Sequence, residues 1–425
     1  MREPEPTVVV LAGGANRRFW PLRAKSLFPL CGQTLLERLV RGLAAAGCRR
    51  FVVVASPDTA AEVEQVSRPL PADIAVTVQP EPRGMGDALL IAAHAVPELT
   101  HGPLLVAQAH DVVELPLYQA FLARTRRGNL DGLLTAKRVR EYFPGGYLMV
   151  RGEGVTGLVE KPEPGHEPSD LVSLVLHWHR HPERLLTALQ DAYRQPNAAD
   201  DHYERAVAAL LPTLRYEVFP YEGAWQALKY PWHVLGVMDL LLRELRPPAE
   251  LPDGVSGPVV LEEGVRLQPG ARVVGPAWIG AGTLIGTGAL VRGSVIGRAA
   301  EIGYGCEVAR SYVGDGCTLH HAYVGDSVLD HGVGLGFGTV TGNWPFYPPP
   351  VRSTMAGTRL RTGLPKLGAV IGAGSRTGIG VLINPGVKIG AGTFIGPGVV
   401  VSRDVPDGRL LLVRQEIVDQ PNPFR

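Results

Sequence analysis

Ile279, Ile285 and Val291 stand six residues apart; the beat slips by one and resumes at Ile296, Ile302 and Val308. Toward the end it is cleaner, with Ile371, Thr377, Ile383, Ile389, Ile395 and Val401 in one register. A period of six with aliphatic residues inward and glycine at the turns predicts a β-helix of hexapeptide repeats, three hexads to a coil. Residues Val259 to about Val413, less one excursion, hold about seven coils, a prism on the order of 35 Å long at ~4.8 Å per coil. The excursion, Asn343 to Lys366, carries Trp344-Pro345-Phe346 and Pro348-Pro349-Pro350. A loop this long inside a solenoid is usually functional or used in subunit contact.

The first half has a different rhythm. Val8-Val9-Val10-Leu11 is a short apolar run that stops at Gly13-Gly14, as a buried parallel strand would. Helical spacing from Leu35 to Ala46 closes at Gly47, and Phe51–Ala55, Thr59–Val66, Ile74–Val78, Ala88–Val96 and Leu104–Val106 continue the alternation of strand and helix. That order predicts an α/β domain with a mixed, mostly parallel sheet. Ligands of such sheets sit beyond the carboxyl ends of the strands, so the loops after Leu11, Val78 and Val106 are the first candidates for a site. The proline-rich stretch at Arg246-Pro247-Pro248 separates the halves. The expected organisation is a first domain over 1–246, a linker over 247–258 and the β-helix over 259–425.

Two domains suit 425 residues. Forty-two Lys and Arg against 41 Asp and Glu leave a net charge of +1, without the basic excess of a nucleic-acid binder. Cys31, Cys48, Cys306 and Cys317 show no CxxC spacing, so neither a zinc site nor a disulfide framework is expected. The charged, proline-rich start has no apolar signal segment behind it, and no apolar run approaches 18 residues. The expectation is a cytoplasmic chain with no membrane or nucleic-acid partner.

The chemistry-bearing segments occur in a telling order. Leu11-Ala12-Gly13-Gly14-Ala15-Asn16-Arg17-Arg18 is followed by Lys25; Gln79 to Ala88 includes Gly84 and Gly86; Ala107-Gln108-Ala109-His110-Asp111 ends a strand. Gly145-Gly146-Tyr147, Glu160-Lys161-Pro162 and Trp225-Gln226-Ala227 follow. Within the β-helix come Leu319-His320-His321-Ala322-Tyr323-Val324-Gly325-Asp326-Ser327 and Thr341-Gly342-Asn343. Glycines after a strand let backbone N–H groups approach a phosphate closely.

These segments resemble those of the sugar-1-phosphate nucleotidyltransferases, whose first domain is Rossmann-like. From Val8 to about Gln415 the whole chain resembles the bifunctional N-acetylglucosamine-1-phosphate uridyltransferase/glucosamine-1-phosphate acetyltransferases, archaeal-type relatives included, in which the second domain is a left-handed β-helix. The resemblance implies an NTP and a sugar phosphate as substrates. Gly13 and Gly14 would approach the triphosphate, and Arg18 and Lys25 would offset charge at the α-phosphoryl during in-line attack. The Arg18-to-Lys25 spacing is similar to that of the uridyltransferase branch. Gln79 and Gly84 would hold the base, Asp111 would bind Mg²⁺, and Gly146, Glu160 and Lys161 would line the sugar pocket. His320 is implied as the base that deprotonates an amine acceptor, work suited to an imidazole with an ordinary pKa of about 6.5. Tyr323, Asn343 and Lys366 would hold the sugar phosphate, Arg376 is a further anion contact, and acetyl-CoA would be the co-substrate. Association as a homotrimer or dimer of trimers through the β-helix is also implied.

Four departures from the family pattern bear on these expectations. Asn16 replaces a glycine, which asparagine's tolerance of positive φ can accommodate. Ala227 stands where a second metal ligand belongs. Gly334 replaces an asparagine, and Phe337 enters a turn beside the expected coenzyme A groove, either crowding it or packing under it. Three readings stay open: a bifunctional enzyme, a nucleotidyltransferase for another sugar such as glucose 1-phosphate with a purely structural β-helix, and a non-catalytic sugar-nucleotide-binding regulator.

Overall fold

The computed structural model describes residues 5–14, 16–127, 129–195, 200–246, 248–417 and 419–423. Ala15 of the glycine motif and Pro247 of the expected linker lie outside them. The chain divides into two units, one built mainly from Gln33–Leu228 and the other mainly from Lys229–Arg425.

In the first unit nine strands form a single sheet. Thr7–Leu11 is fully buried and lies inside the sheet, third in its order, paired in parallel with Arg50–Ala55 on one side and Leu104–Gln108 on the other. Asp73–Val78 adds a further parallel strand outside Arg50–Ala55. Beyond Leu104–Gln108 the sheet turns mixed: Leu171–His179 runs antiparallel to Leu104–Gln108 and to Gly132–Arg138, and Gly146–Arg151 pairs antiparallel with Gly154–Glu160. Alternation of side chains along Thr7–Leu11 sends Val8 and Val10 into one core layer and Val9 and Leu11 into the other. Helix Leu35–Ala45 begins at a capping box, in which Thr34 Oγ1 accepts from the Glu37 N–H (3.1 Å) and Glu37 Oε2 accepts from the Thr34 N–H (2.7 Å).

The second unit contains three parallel sheets of eight, seven and eight strands, the faces of a β-helix consistent with the left-handed hexapeptide class. The sequence beat appears as three inward columns. Ile279, Ile296, Val313, Leu329, Ile371 and Ile389 stack on one face. Ile285, Ile302, Leu319, Leu335, Thr377 and Ile395 stack on another, and Val273, Val291, Val308, Val324, Thr341, Ile383 and Val401 on the third. The stack begins one strand earlier than expected, because Val255–Ser256, inside the expected linker, already pairs with Arg272–Val274. The excursion folds into an antiparallel hairpin, Arg352–Met355 with Thr358–Arg361, and is closed where the Leu367 N–H donates to the Asn343 carbonyl (3.1 Å).

The expected boundary at 246 and the packing differ in two places. Helix His233–Arg243 clusters with the second unit, where Leu235, Met238, Leu241 and Leu242 are buried. Arg18–Arg23 and Pro29–Gly32 also cluster there, whereas Ala24–Phe28 stays with the first unit. Local sequence carries no sign of this, since it depends on which surface covers Trp20, whose Nε1 donates to Asp407 Oδ1 (3.0 Å). Among the described residues no helix is long and apolar enough to cross a membrane.

Candidate active site

The glycine motif leaves the end of strand Thr7–Leu11 under tight constraint. The Ala12 N–H donates to the Val54 carbonyl (2.9 Å), so the chain follows its neighbour strand for one residue more. A Cβ on Gly13 would come within 3.3 Å of the Ala55 carbonyl and of Gln79 Oε1, closer than a side chain is ordinarily tolerated. Gly14, by contrast, is exposed with open space around it. Asn16 takes φ +45°, the left-handed conformation that glycine and asparagine adopt most readily, and its Oδ1 accepts from the Lys25 N–H (3.3 Å). The departure at position 16 is thus accommodated, and the asparagine ties the motif to the lysine's backbone. Arg18 is exposed on the single turn Arg17–Phe19, and Lys25 is half-buried.

Gln79 and Gly84 come together. Gln79 is buried, and its amide nitrogen donates to the Gly84 carbonyl (3.1 Å) and to Asp87 Oδ2 (2.7 Å). Its amide group therefore holds the loop in shape. Gly84 has φ +92°, a conformation that favours glycine; a Cβ there would meet Asp200 Oδ1, the end of a side chain that can turn away, so the backbone angle is what calls for glycine. Tyr193 clamps the same loop: its hydroxyl donates to the Arg83 carbonyl (2.8 Å) and accepts from the Asp87 N–H (2.9 Å). Asp87 and Tyr193 were not singled out from sequence; an acidic residue in the first turn of a helix reads only as a dipole partner.

Asp111 opens the short strand Asp111–Val113, which pairs antiparallel with Trp225–Ala227 so that Asp111 and Ala227 are directly opposed. Trp225 Nε1 lies 3.4 Å from Asp111 Oδ1, in position to donate. Directly opposed side chains in such a pair have Cβ atoms about 5 Å apart, so a carboxylate at 227 would share an ion with Asp111. The alanine is buried and offers no side-chain oxygen. Among the described residues no three His, Cys, Asp or Glu side chains gather into a metal-sized group. A half-buried single carboxylate at a strand end fits Mg²⁺, which commonly takes one or two carboxylates and completes its shell with phosphates and water.

Gly146 and Glu160 are cross-strand partners, and a Cβ on Gly146 would lie 3.3 Å from Glu160 Oε2. Lys161 takes φ +43° and its ammonium pairs with Glu160 Oε1 at 2.6 Å. Burial alone would lower the Lys161 ammonium, but the hydrogen bond and charge of Glu160, with Asp200 and Glu204 behind, raise it. Glu204, on helix His202–Leu210, is buried next to these carboxylates. Burial, then the charge of Glu160, pushes its carboxyl up to about 8. Its sequence neighbours are unremarkable, so only packing marks it as part of this region.

In the second unit Tyr323 and Asn343 meet. Asn343 Nδ2 donates to the Tyr323 hydroxyl (3.2 Å) and to Asp326 Oδ2 (2.6 Å). Arg310 holds Asp326 in a two-pronged pair, both bonds at 2.7 Å. Arg310 and Asp326 escaped the sequence reading because they belong to successive coils, sixteen residues apart. His320 is exposed, with its N–H donating to the Leu335 carbonyl (3.0 Å). Lys366 Nζ lies 5.5 Å from the centre of the Trp344 ring, a cation–π contact inside the excursion. Arg376 is the cross-strand neighbour of Gly334. Phe337 stacks on His321 (4.9 Å), which stacks on Tyr304 (5.8 Å), so these rings form an exposed row along successive coils.

Two outcomes follow. Ala227→Asp should tighten Mg²⁺ binding and raise metal-dependent turnover, read by metal titration; no response would place the limiting ligand elsewhere. Glu204 has a folded-state pKa above its unfolded one, so its contribution to stability is complete below the ordinary carboxylate range and is lost as pH rises through about 8. Glu204→Gln should therefore flatten the fall of the urea midpoint between about pH 5 and 9; an unchanged slope would mean that another group titrates.

Comparison with known proteins agrees with this layout. The nucleotidyl transferase family model matches residues 7–219, and a bacterial transferase hexapeptide model of six repeats matches residues 368–403. A bifunctional sugar-1-phosphate nucleotidylyltransferase/acetyltransferase of Sulfurisphaera tokodaii is 29% identical over 415 residues, covering 95% of this chain and 99% of that protein. The bifunctional protein GlmU of Rubrobacter xylanophilus is 39% identical over 98 residues, 23% of this chain. GlmU of Mycolicibacterium vanbaalenii is 28% identical over 165 residues, 37% of this chain. The matches span 20% and 33% of the two GlmU proteins' own lengths. With its strand-end glycine loop inside a match that covers half its length, the chain belongs to the nucleotidyl transferase family and joins that domain to hexapeptide transferase repeats.

Proposed function

We propose that the first unit transfers a nucleotidyl group from an NTP, UTP by the Arg18-to-Lys25 spacing, to a sugar 1-phosphate, N-acetylglucosamine 1-phosphate by resemblance. A phosphate oxygen of the sugar attacks the α-phosphorus, the α–β anhydride bond breaks, and pyrophosphate leaves. The observation that carries this reading is the crowded strand end, where Gly13 abuts Ala55 and Gln79 and Asn16 adopts the glycine conformation. It leaves backbone in place of side chains where a triphosphate must approach. Lys25 supplies positive charge to the phosphates, Glu160 accepts from sugar hydroxyls, and Lys161 meets the sugar phosphate; Arg18, implied with Lys25 by the resemblance, clusters with the second unit. Asp111 would hold Mg²⁺, which when bound neutralises phosphate charge.

For the second unit we propose acetyl transfer from acetyl-CoA to glucosamine 1-phosphate, with His320 as base and Tyr323 and Asn343 positioning the acceptor. The meeting of Tyr323 with Asn343 supports it, as does the printed name of the Sulfurisphaera relative. A structural β-helix is the second reading, favoured by the Asn343 amide being engaged by Asp326, itself fixed by Arg310. In either case the β-helix assembles the chain as a trimer or a dimer of trimers.

Pyrophosphate release across a panel of NTPs and sugar phosphates tests the first activity; no release with any pair would leave a binding protein. Lys25→Ala should lower it about a hundredfold, typical of a lost charge-stabilising group, and unchanged turnover would remove Lys25 from the site. His320→Ala should abolish thiol release from acetyl-CoA and spare pyrophosphate release. Equal loss of both would indicate a folding defect, and absence of thiol release from the unaltered protein would establish the structural β-helix.

A further inference from the structure

A run of polar side chains crosses the core of the first unit. Ser173 Oγ lies 2.8 Å from His177 Nε2, His177 Nδ1 lies 2.8 Å from the Tyr203 hydroxyl, that hydroxyl lies 3.0 Å from His179 Nε2, and His179 Nδ1 lies 2.7 Å from the Tyr216 hydroxyl. His177, Tyr203, His179 and Tyr216 are all buried, whereas Ser173 is half-buried. Ser173 stands beside the expected sugar pocket: a Cβ on Gly146 would lie 3.7 Å from Ser173 Cβ and 3.3 Å from Glu160 Oε2.

The hydrogens in this chain can be counted. Burial pushes both imidazoles down to about 3, so each ring is neutral and carries one N–H. Two rings and three hydroxyls bring five hydrogens to four links, and one hydrogen is left at an end. If it were left on Tyr216 it would lie in the core, where among the described residues that hydroxyl meets only His179 Nδ1. A buried hydroxyl hydrogen without an acceptor is costly. The favoured direction therefore runs from Tyr216 to His179, Tyr203, His177 and Ser173, and the spare hydrogen belongs to Ser173.

We infer that Ser173 is a further ligand-contacting residue, a hydrogen-bond donor to an acceptor oxygen of the sugar phosphate, and that Tyr216, His179, Tyr203 and His177 are positioning residues that turn its hydrogen outward. The inference rests on the sugar-phosphate reading of this unit. It gives physical sense to two histidines two residues apart in the core: they forward a hydrogen-bond direction across the sheet without carrying charge. The donor complements Glu160, which can only accept from hydroxyls while ionised.

Ser173→Ala should raise the KM for the sugar 1-phosphate about tenfold with the KM for the NTP unchanged, while the unfolding midpoint falls because the buried His177 Nε2–H loses its acceptor. Loss seen with N-acetylglucosamine 1-phosphate alone assigns the acyl carbonyl as the acceptor; equal loss with glucose 1-phosphate assigns an oxygen common to both. Tyr203→Phe should reproduce part of that rise, about threefold, by freeing the Ser173 rotor. Long-range proton–nitrogen NMR on the unaltered protein should show His177 and His179 both as Nε2–H tautomers. Nδ1–H at both positions would reverse the chain and overturn the inference, as would an unchanged sugar-phosphate KM in Ser173→Ala. Unaltered protein that neither binds nor uses any sugar 1-phosphate overturns the underlying reading instead, so the two failures are distinguishable.

Discussion

The parallel pairing of Thr7–Leu11 on both edges governs the first unit. A strand buried on both faces and bonded on both sides must deliver its continuation beyond the sheet at the carboxyl end. Gln79 follows the end of one parallel strand, and Asp111 follows another by three residues. Ala12 to Gly14 emerge at that same end, and the crowding at Gly13 follows from the extra hydrogen bond at Ala12. A single register thus accounts for where a phosphate could approach.

The second unit obeys a simpler rule. Parallel stacking at strand spacing places each inward side chain over its counterpart in the coil below, so aliphatic columns bury themselves with little help from distant sequence. The same stacking brings residues of adjacent coils together on the surface. Arg310 with Asp326, and Asn343 with both Tyr323 and Asp326, are joined for that reason alone. A site on a β-helix is therefore written in fragments one coil apart, and any insertion between coils, such as the hairpin before Leu367, leaves the column intact while adding new surface.

Polar burial in the first unit has a division of labour. Glu160 and Lys161 pair at the edge of the expected sugar pocket, Glu204 lies behind them, and the histidine–tyrosine chain threads the core with every link satisfied. Such networks are tolerated in low dielectric only when complete, and completeness leaves one hydrogen to point outward.

The amino-acid sequence alone determined the two kinds of architecture, because period six and strand–helix alternation are local hydrophobic patterns. It also determined the glycine loop, Asp111 just beyond a parallel strand, and the tolerance of Asn16 for positive φ, since each follows from the intrinsic geometry of a residue and its neighbours. Tertiary structure alone decided the rest. That Ala227 faces Asp111, that Gln79 turns its amide onto Gly84 and Asp87, and that Trp20 packs with the second unit depend on register and packing between segments far apart in the chain. So do Glu204 and the Ser173–Tyr216 chain. Local propensity carries no information about which distant side chain will be 3 Å away, and burial, which sets the acidity of Glu204 and the neutrality of His177 and His179, exists only once the core has closed.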